Sequence, residues 1–391
     1  MTDNTVIVVG GGTGGLVAAC RLRQRLDRRA RVILVTRETR SCFAPSLLWV
    51  MTGDRHPDTV CLDLRQLRAK GIEVVEAEAT GVDLSARDLQ TSAGSLSYHR
   101  LALAVGADLA PQDLPGFIEA AHSPYTLEGA TKTAAALESF RGGKLAVLVA
   151  RLPFKCPAAP YETALLAAVA LRRRGVQAQI DIYTPEPLPM PTAGPVLGEA
   201  IKQLLAVRGI GFHPGCTAER IDSQARTIDF GNGEQAGYDL LLGVPPHVAP
   251  ALARDSGLAG ESGFIPVDPH TLATRAEGVY AIGDVTAIPI GGGRLLPKAG
   301  VFAHGHADVV ARRIADELAG RIPTATFDGN GSCFLEAGKG AAGYASGNFH
   351  APGGPQITLS LNPPFRAVAG RSSGPSGRAR AGTRTGSGLA A

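Results

Sequence analysis

The chain opens with a short run of β-branched residues that ends in a cluster of glycines, VIVVGGGTGGL at residues 6–16. Gly10, Gly12 and Gly15 fit the spacing G-x-G-x-x-G, directly after a predicted strand and before a predicted helix. In this spacing the first glycine makes a tight turn, the second lets backbone approach a pyrophosphate, and the third allows close helix–strand packing. The helix amino end stabilises the phosphate charge. The motif therefore predicts a Rossmann-like unit that binds a dinucleotide.

A second motif, VYAIGDVTAIP, lies at residues 279–289. Its strand ends in Gly283 and Asp284, which predicts Asp284 at or near a helix start. A carboxylate there either accepts a ribitol hydroxyl of a dinucleotide or is an ordinary helix cap. An acid normally ends the second strand of such a unit to hold a ribose. Here Thr36 occupies that place and Glu38 comes two residues later, so Glu38 is either the ribose ligand or a solvated surface acid.

Apolar runs and helical periodicity alternate along most of the chain. The predicted strands lie at 5–9, 31–35, 73–76, 101–105, 144–149, 179–183, 240–243 and 278–282. The predicted helices lie at 16–26, 126–140, 161–174, 195–208 and 303–318. Strands that alternate with helices imply parallel sheets with right-handed crossovers. The sequence therefore predicts an α/β fold with two Rossmann-like dinucleotide-binding domains and a C-terminal segment.

The expected domain division follows the two motifs. The first domain is discontinuous, and the second domain lacks its own glycine-rich loop. A C-terminal redox and acceptor segment and a disordered tail follow. The expected bounds are 1–110 with 251–318 for the first domain, 111–250 for the second, 319–371 for the C-terminal segment and 372–391 for the tail.

The two motifs flank an apolar run, LALAVGA at residues 101–107, which contains Gly106. This combination resembles the pyridine nucleotide-disulfide oxidoreductase superfamily over residues 5–320. The resemblance implies FAD as the bound dinucleotide and places Gly106 among the residues expected at the cofactor.

Charge and hydropathy exclude several function classes. The formal net charge is +4, but the chain after residue 362 holds five arginines and no acid, so the folded body is not basic and no nucleic-acid binding is expected. No uninterrupted apolar stretch is long enough to span a membrane. The amino terminus lacks the features of a signal peptide. We expect a cytoplasmic protein, with peripheral contact at the inner face of the cell membrane as an open alternative. The tail is too polar to bury a core, which predicts disorder over 372–391.

The predicted second domain lacks the glycine turn that a nicotinamide dinucleotide would need. The strand at 144–149 is followed by Arg151 and Leu152, whose side chains stand where backbone would approach a pyrophosphate. Tight NAD(P)H binding is therefore not expected, and the electrons should come from another donor.

The six cysteines form no CxxC pair and show no zinc spacing, so no metal site is expected. Cys156 opens the pattern CPAAPYE, which ends at Glu162. Lys298 lies in PKAG, and Cys333 lies in GSCF. Together these patterns resemble the sulfide:quinone oxidoreductases and the flavin subunit of flavocytochrome c sulfide dehydrogenase.

This resemblance implies a role for each residue. Cys156 and Cys333 would form a redox pair beside the flavin, and Lys298 would lie near its pyrimidine end. Phe334 would border the acceptor pocket. Glu162 would accept and donate protons at Cys156. Alternatively, it would be an acid at a helix start that the helix dipole stabilises. The implied reaction oxidises sulfide to polysulfide or sulfur and passes the electrons through FAD to quinone.

The chain also departs from the family pattern. Tyr125 stands where many quinone-linked members carry a third cysteine, and Cys42 lies roughly where flavocytochrome-type members attach FAD covalently, so a thioether at Cys42 is a hypothesis. The other cysteines, Cys20, Cys61 and Cys216, are expected to be structural. Three alternatives stay open: transfer to a cytochrome c partner, a type II NADH:quinone oxidoreductase, and an FAD-binding redox sensor without catalysis.

Overall fold

The computed structural model describes residues 4–361, so the predicted disordered tail lies outside the described residues. The strands of the three main sheets are β1 (Thr5–Val9), β2 (Arg31–Thr36), β3 (Glu73–Glu76), β4 (Arg100–Leu103), β5 (Ala121–His122), β6 (Gly143–Val149), β7 (Ala178–Tyr183), β8 (Ile210–His213), β9 (Leu240–Val244), β10 (Val279–Ala281), β11 (Asn330–Gly338), β12 (Ala341–Asn348) and β13 (Gln356–Leu361). The α-helices are α1 (Thr13–Arg25), α2 (Leu47–Met51), α3 (Phe117–Ala120), α4 (Leu127–Ser139), α5 (Ala159–Arg173), α6 (Pro195–Val207), α7 (Ala251–Asp255) and α8 (Gly300–Leu318).

The first main sheet carries the glycine motif. Its strand order is β10-β4-β1-β2-β3, and all of its pairs are parallel. Every residue of β1 is buried, as expected for a parallel strand covered on both faces. Helices α1 and α8 pack against each other beside this sheet. Because β10 pairs with β4, the second motif lies in the same sheet as the first.

The second main sheet has the order β5-β9-β6-β7-β8 and is also fully parallel. Helix α5 follows β6. Its own alanine, leucine and valine side chains are buried along most of its length. Pro160 lies in its first turn, where a missing N–H costs no helical hydrogen bond. The two parallel sheets with their helices confirm the predicted α/β fold class.

The C-terminal part forms an antiparallel sheet, β11-β12-β13, which packs on α5. Leu335 and Ala337 of β11 are buried in the same core as α5. A Cβ on Gly338 would lie 2.7 Å from Val169 Cγ2, so the strand approaches the helix closely there. These strands are not among those predicted from the sequence. The small and polar residues of β11 and β12 show little apolar alternation, whereas β13, QITLSL, does alternate and is a signal that the prediction missed.

Shorter strands complete the fold. They lie at Arg40–Cys42, Cys61–Asp63, Ala79–Asp83, Asp88–Thr91, Gly94–Ser97, Asp108–Leu109, Ala218–Asp222, Thr227–Phe230, Gln235–Gly237, His247–Val248, Ile265–Pro266, Thr286–Ala287, Pro289–Ile290 and Arg294–Leu295. Within residues 4–361, no helix is both long and apolar enough to cross a membrane.

Candidate active site

The glycine loop after β1 has the geometry of a phosphate cradle. Gly10 has φ +113°, and a Cβ on it would lie 2.3 Å from the Ala104 carbonyl oxygen. A Cβ on Gly15 would lie 1.8 Å from the Gly10 carbonyl oxygen, whereas one on Gly12 would meet no described atom within 4 Å. No side chain caps α1, and its first turn holds no acid. The amino end of α1 therefore offers unpaired N–H groups to a pyrophosphate, and these residues fit a dinucleotide.

The neighbouring segments brace this loop. Ser41 Oγ donates a hydrogen bond to the Gly11 carbonyl oxygen over 2.7 Å, and Thr36 Oγ1 donates to the Glu38 carbonyl oxygen over 2.8 Å. The Glu38 side chain is exposed just beyond β2, so its role as a ribose ligand stays a prediction. Gly106 follows β4 with φ +73°.

Asp284 lies beyond β10 in a single 3-10 turn, Gly283–Val285, and the long helix α8 begins only at Gly300. Burial raises the pKa of the Asp284 carboxyl, and the nearby cations Lys155 and Lys298 oppose that shift. The carboxylate that the sequence predicts at the cofactor is therefore enclosed and faces two lysines.

Lys298 is a buried cation. Its side chain is 7% exposed, and its Nζ donates to the carbonyl oxygens of Asp284 at 2.5 Å and Thr286 at 3.4 Å. The Nζ also lies 3.4 Å from the centre of the Phe264 ring. Burial lowers the pKa of Lys298 to about 8, although the Asp284 carboxylate opposes the shift. This places the loss of the Lys298 charge close to the physiological range.

Two further groups at this place were not predicted from the sequence. Lys155 Nζ donates to the Ala107 carbonyl oxygen at 3.0 Å, and burial lowers its pKa. His247 is buried, and its Nδ1 pairs with the Pro245 carbonyl oxygen at 2.8 Å. Its Nε2 has no hydrogen-bond partner among the described residues. Burial and then the charge of Lys155 lower the His247 pKa to about 3. Lys155 adjoins Cys156 in the sequence, whereas no motif marks His247.

The loop after β6 replaces the glycine turn of a nicotinamide domain. Arg151 donates to the carbonyl oxygens of Ala150 and Ala218 and so fills that place. Farther along, Cys156 has φ +57°, and its carbonyl oxygen accepts the Ala159 N–H at 2.9 Å at the amino end of α5. The backbone amides of Ala158 and Ala159 lower the pKa of the Cys156 thiol, against the larger rise that burial causes. In a nicotinamide-binding domain the amino end of this helix would receive a phosphate. Here the Cys156 loop lies at the amino end of α5 instead.

The structure brings Cys156, Cys333 and Glu162 together. Burial raises the pKa of the Cys156 thiol well above its usual value, and the charges of Glu162 and Cys333 add to the rise. Burial raises the pKa of Cys333, on β11, to about 12, and Glu162 adds to it. Both cysteines are free thiols. Burial also raises the pKa of Glu162, in the first turn of α5, to about 7, which suits a group that exchanges protons near neutral pH.

Two aromatic residues stand near these sulfurs. Phe334 follows Cys333 and is 66% exposed, with its ring 4.8 Å from that of Tyr344, and its place in an acceptor pocket stays a prediction. Tyr125 replaces the third cysteine of the family pattern. Its hydroxyl donates to the Lys155 carbonyl oxygen at 2.9 Å, so it supports the loop that carries Cys156.

Cys42 is joined to Cys61 by a disulfide bond across the short ladder that pairs Arg40–Cys42 with Cys61–Asp63. A sulfur in a disulfide cannot also form a thioether, so the structure contradicts the hypothesis of covalent flavin at Cys42. The sequence does not reveal this pairing, because neither three-residue strand shows an apolar pattern. Cys20, on α1, and Cys216 are free, as are the cysteines of the candidate site.

Comparisons with known proteins agree with this architecture. The family described as pyridine nucleotide-disulphide oxidoreductase matches residues 4–152 and 162–307. The mitochondrial sulfide:quinone oxidoreductase of Mus musculus is 23% identical over 349 residues, which cover 85% of this chain and 75% of the relative. The sulfide-quinone reductase of Aquifex aeolicus is 24% identical over 341 residues, covering 80% of this chain and 76% of the relative.

The fold has a solved counterpart. The X-ray structure of the sulfide:quinone oxidoreductase from Aquifex aeolicus aligns with a TM-score of 0.82 at 21% identity, covering 94% of this chain and 89% of that chain. These matches confirm the predicted superfamily, and with it an oxidoreductase that uses FAD. Because the family match spans most of its length, the chain belongs to the pyridine nucleotide-disulphide oxidoreductase family.

Proposed function

We propose that this protein oxidises sulfide to polysulfide or sulfur and passes the electrons through FAD to quinone. The observation that carries the proposal is that Glu162 acts on both thiols. It accepts the backbone N–H of Glu336, on the strand of Cys333, while the Cys156 N–H donates to the Lys298 carbonyl oxygen. The similarity to sulfide:quinone oxidoreductases from two organisms supports the same substrate and acceptor.

The proposed reaction needs the two cysteines to alternate between a disulfide and two thiols. Hydrosulfide would attack the Cys156–Cys333 disulfide, forming a persulfide on one cysteine and releasing the other as a thiolate. FAD, when bound, supplies an acceptor for the electron pair. Overall, HS⁻ loses two electrons and one proton as it becomes sulfur, and quinone takes up two electrons and two protons. One proton from the medium therefore balances the reaction.

The remaining residues have separate proposed roles. Gly10, Gly12 and Gly15 would hold the pyrophosphate of FAD. Asp284 and Lys298 would meet its ribitol and its ring. Further cofactor contacts are proposed for Glu38, Gly106 and Gly283. Glu162 would accept the proton released by sulfide, which the rise of its pKa to about 7 supports.

Quinone is favoured over a nicotinamide nucleotide as the partner in electron transfer. Arg151 fills the place of the second glycine turn, and the amide groups at the amino end of α5 face Cys156. Phe334, exposed beside Cys333, would border the quinone. Because quinones partition into lipid, peripheral contact with the inner face of the cell membrane forms part of this proposal.

The test is anaerobic addition of sulfide, followed at the flavin absorption band. Sulfide should bleach the flavin of the wild-type protein, and decylubiquinone should restore the band faster than cytochrome c does. Cys156→Ser and Cys333→Ser should keep the FAD but lose the bleaching, and Cys216→Ser, which changes a free cysteine outside the site, is the matched control. Bleaching at the wild-type rate in both site variants would refute the cysteine mechanism.

A further inference from the structure

A second carboxylate lies next to Glu162. Glu336 is on β11, and its backbone N–H donates a hydrogen bond to Glu162 Oε1 at 2.8 Å. The negative charge of the Glu336 side chain also acts on the Glu162 carboxyl and makes its ionisation less favourable. Glu336 therefore acts on Glu162 through both its backbone and its charge, from near the end of β11 to the first turn of α5.

The Glu336 side chain is held from its other side by an indole. Trp49, on α2, donates from Nε1 to Glu336 Oε2 at 2.6 Å. An indole N–H is a donor only, so Trp49 can orient this carboxylate but cannot take a proton from it. The contact therefore orients the Glu336 carboxylate.

Glu336 lines a cavity of about 260 Å³ that is open to solvent. The principal lining residues are Trp49, Arg55, Leu166, Arg173, Glu336 and Lys339. The cavity is polar and large enough to hold several water molecules. Arg173 pairs with Asp54 at 2.8 Å in the same wall, and the Arg55 guanidinium lies 5.5 Å from the centre of the Trp49 ring.

Glu162 is not part of that cavity wall among the described residues. The charge of Glu336 of β11 acts on Glu162. The charge of Glu162 in turn acts on three titratable groups around it, which are Cys333 of β11, Cys156 of the loop before α5 and Tyr125 of the loop before α4. Of Glu336 and these three groups, Glu336 lines the cavity. Glu336 therefore contacts Glu162 through its backbone N–H and also lines a water-accessible space.

We propose that Glu336 carries protons between Glu162 and the water of this cavity. The proposal rests on the proposed sulfide oxidation for the origin of the proton. The single proton lost when HS⁻ gives up two electrons would pass to the Glu162 carboxylate, then to the Glu336 carboxylate, and then to water. No bond other than those to this proton changes in the relay, and each carboxylate returns to its ionised form.

The first arm of the test measures the rate of flavin reduction by sulfide between about pH 5 and pH 9. Glu336→Gln should slow reduction by roughly tenfold and should shift the ionisation that controls the rate to lower pH, because the neutral amide no longer disfavours the Glu162 carboxylate. Glu336→Asp should restore part of the rate. Asp54→Asn, which changes a carboxylate of the same wall that pairs with Arg173, is the matched control and should behave as wild type.

The second arm does not depend on sulfide. Infrared difference spectra in heavy water should follow hydrogen–deuterium exchange of the protonated Glu162 carboxyl in the FAD-bound protein, with Glu162→Gln identifying the band. Glu336→Gln should slow this exchange and Asp54→Asn should not. Equal exchange in wild type and Glu336→Gln would overturn the relay. Absence of bleaching in the wild type would instead refute the proposed function, while the exchange measurement would still decide the relay.

Discussion

The backbone N–H of Cys156 donates a hydrogen bond to the Lys298 carbonyl oxygen at 2.8 Å. Lys155, which precedes Cys156, pairs with Lys298 in an isolated parallel β-bridge. Backbone hydrogen bonding therefore joins two segments that lie far apart in the sequence. This pairing fixes the distance between the loop that carries Cys156 and Lys298, the lysine that faces Asp284. A substitution that displaces either segment should therefore also displace the other.

Lys298→Met should slow the reduction of flavin by sulfide roughly 10- to 100-fold, because the variant removes a preorganised positive charge from the site. The wild-type ammonium is charged below pH about 8 and neutral above it, so the wild-type rate should fall as pH rises through that value. Stopped-flow reduction at saturating sulfide measures both effects. Lys298→Arg should keep the charge and lose the fall near pH 8. A Lys298→Met rate that retains the wild-type pH dependence would contradict this role.

Gly12→Ala and Gly15→Ala should separate cofactor binding from folding. A Cβ on Gly12 meets no described atom, so the variant should fold normally but bind FAD at least tenfold more weakly, because the methyl group would stand where the pyrophosphate passes. A Cβ on Gly15 would overlap the Gly10 carbonyl oxygen, so Gly15→Ala should lose stability itself. Titration with FAD and thermal unfolding of the apoproteins test this. Unchanged FAD affinity in Gly12→Ala would argue against the cradle.

Two buried carboxyl groups should make the protein less stable as pH rises. Burial raises the pKa values of Glu162 and Glu186 to about 7, above their usual value of 4.5, so the folded state binds more protons than the unfolded state between these limits. The free energy of unfolding should therefore fall as pH rises from about 4.5 to above 7, by about 3 kcal/mol for each group. Denaturant unfolding at several pH values should show a smaller fall in Glu162→Gln and in Glu186→Gln. The exposed Glu38→Gln variant is the control.

The Cys42–Cys61 disulfide should stabilise the protein without holding the flavin. Closing a loop between cysteines 19 residues apart is worth about 3 kcal/mol in the chain-entropy account. Cys42→Ser and Cys61→Ser should therefore lower the unfolding temperature to a similar extent. Acid precipitation of the wild-type holoprotein should leave all of the flavin in the supernatant. Flavin that stays with the wild-type pellet but not with Cys42→Ser would restore the thioether hypothesis.

NADH should fail to reduce the flavin under anaerobic conditions in which sulfide does so. Arg151 occupies the place of the glycine turn, and its hydrogen bonds to Ala150 and Ala218 hold it there. Arg151→Gly should not create NADH activity, since the α5 amino end still faces Cys156. Absorbance spectra before and after each addition provide the measurement. Bleaching by NADH at a rate comparable to that by sulfide would favour the type II NADH:quinone oxidoreductase alternative.

The regular elements of both parallel sheets could be predicted from the sequence because their signals are local. The strand predicted at 5–9 is β1, and the helix predicted at 195–208 is α6, which ends one residue earlier. β1 is an apolar run that ends at Gly10, and α6 has apolar residues at helical spacing between Pro195 and Gly209. Such local patterns favour one conformation without help from distant residues. In the antiparallel sheet of β11 to β13, glycines interrupt β11 and β12, so no local pattern marks these two strands and their pairing decides their conformation. Only β13 carries a local alternation of polar and apolar residues.

The candidate site divides in the same way. Cys156, Lys298 and Cys333 lie in recognisable patterns, whereas His247 and Glu336 become relevant only through contacts made by the folded chain. The Cys42–Cys61 bond is a further case. Its two half-strands are three residues each, and only tertiary structure brings them side by side.

The Cys156 loop occupies the amino end of α5, and this limits how the protein can evolve. A single helix terminus can serve a diffusible coenzyme or a sulfur nucleophile, but the two uses compete for the same amide groups. Recovering the coenzyme would require removal of Arg151 and displacement of the Cys156 loop together, and either change alone would be unproductive. We therefore expect such a chain to draw no electrons from the cellular pool of reduced nicotinamide.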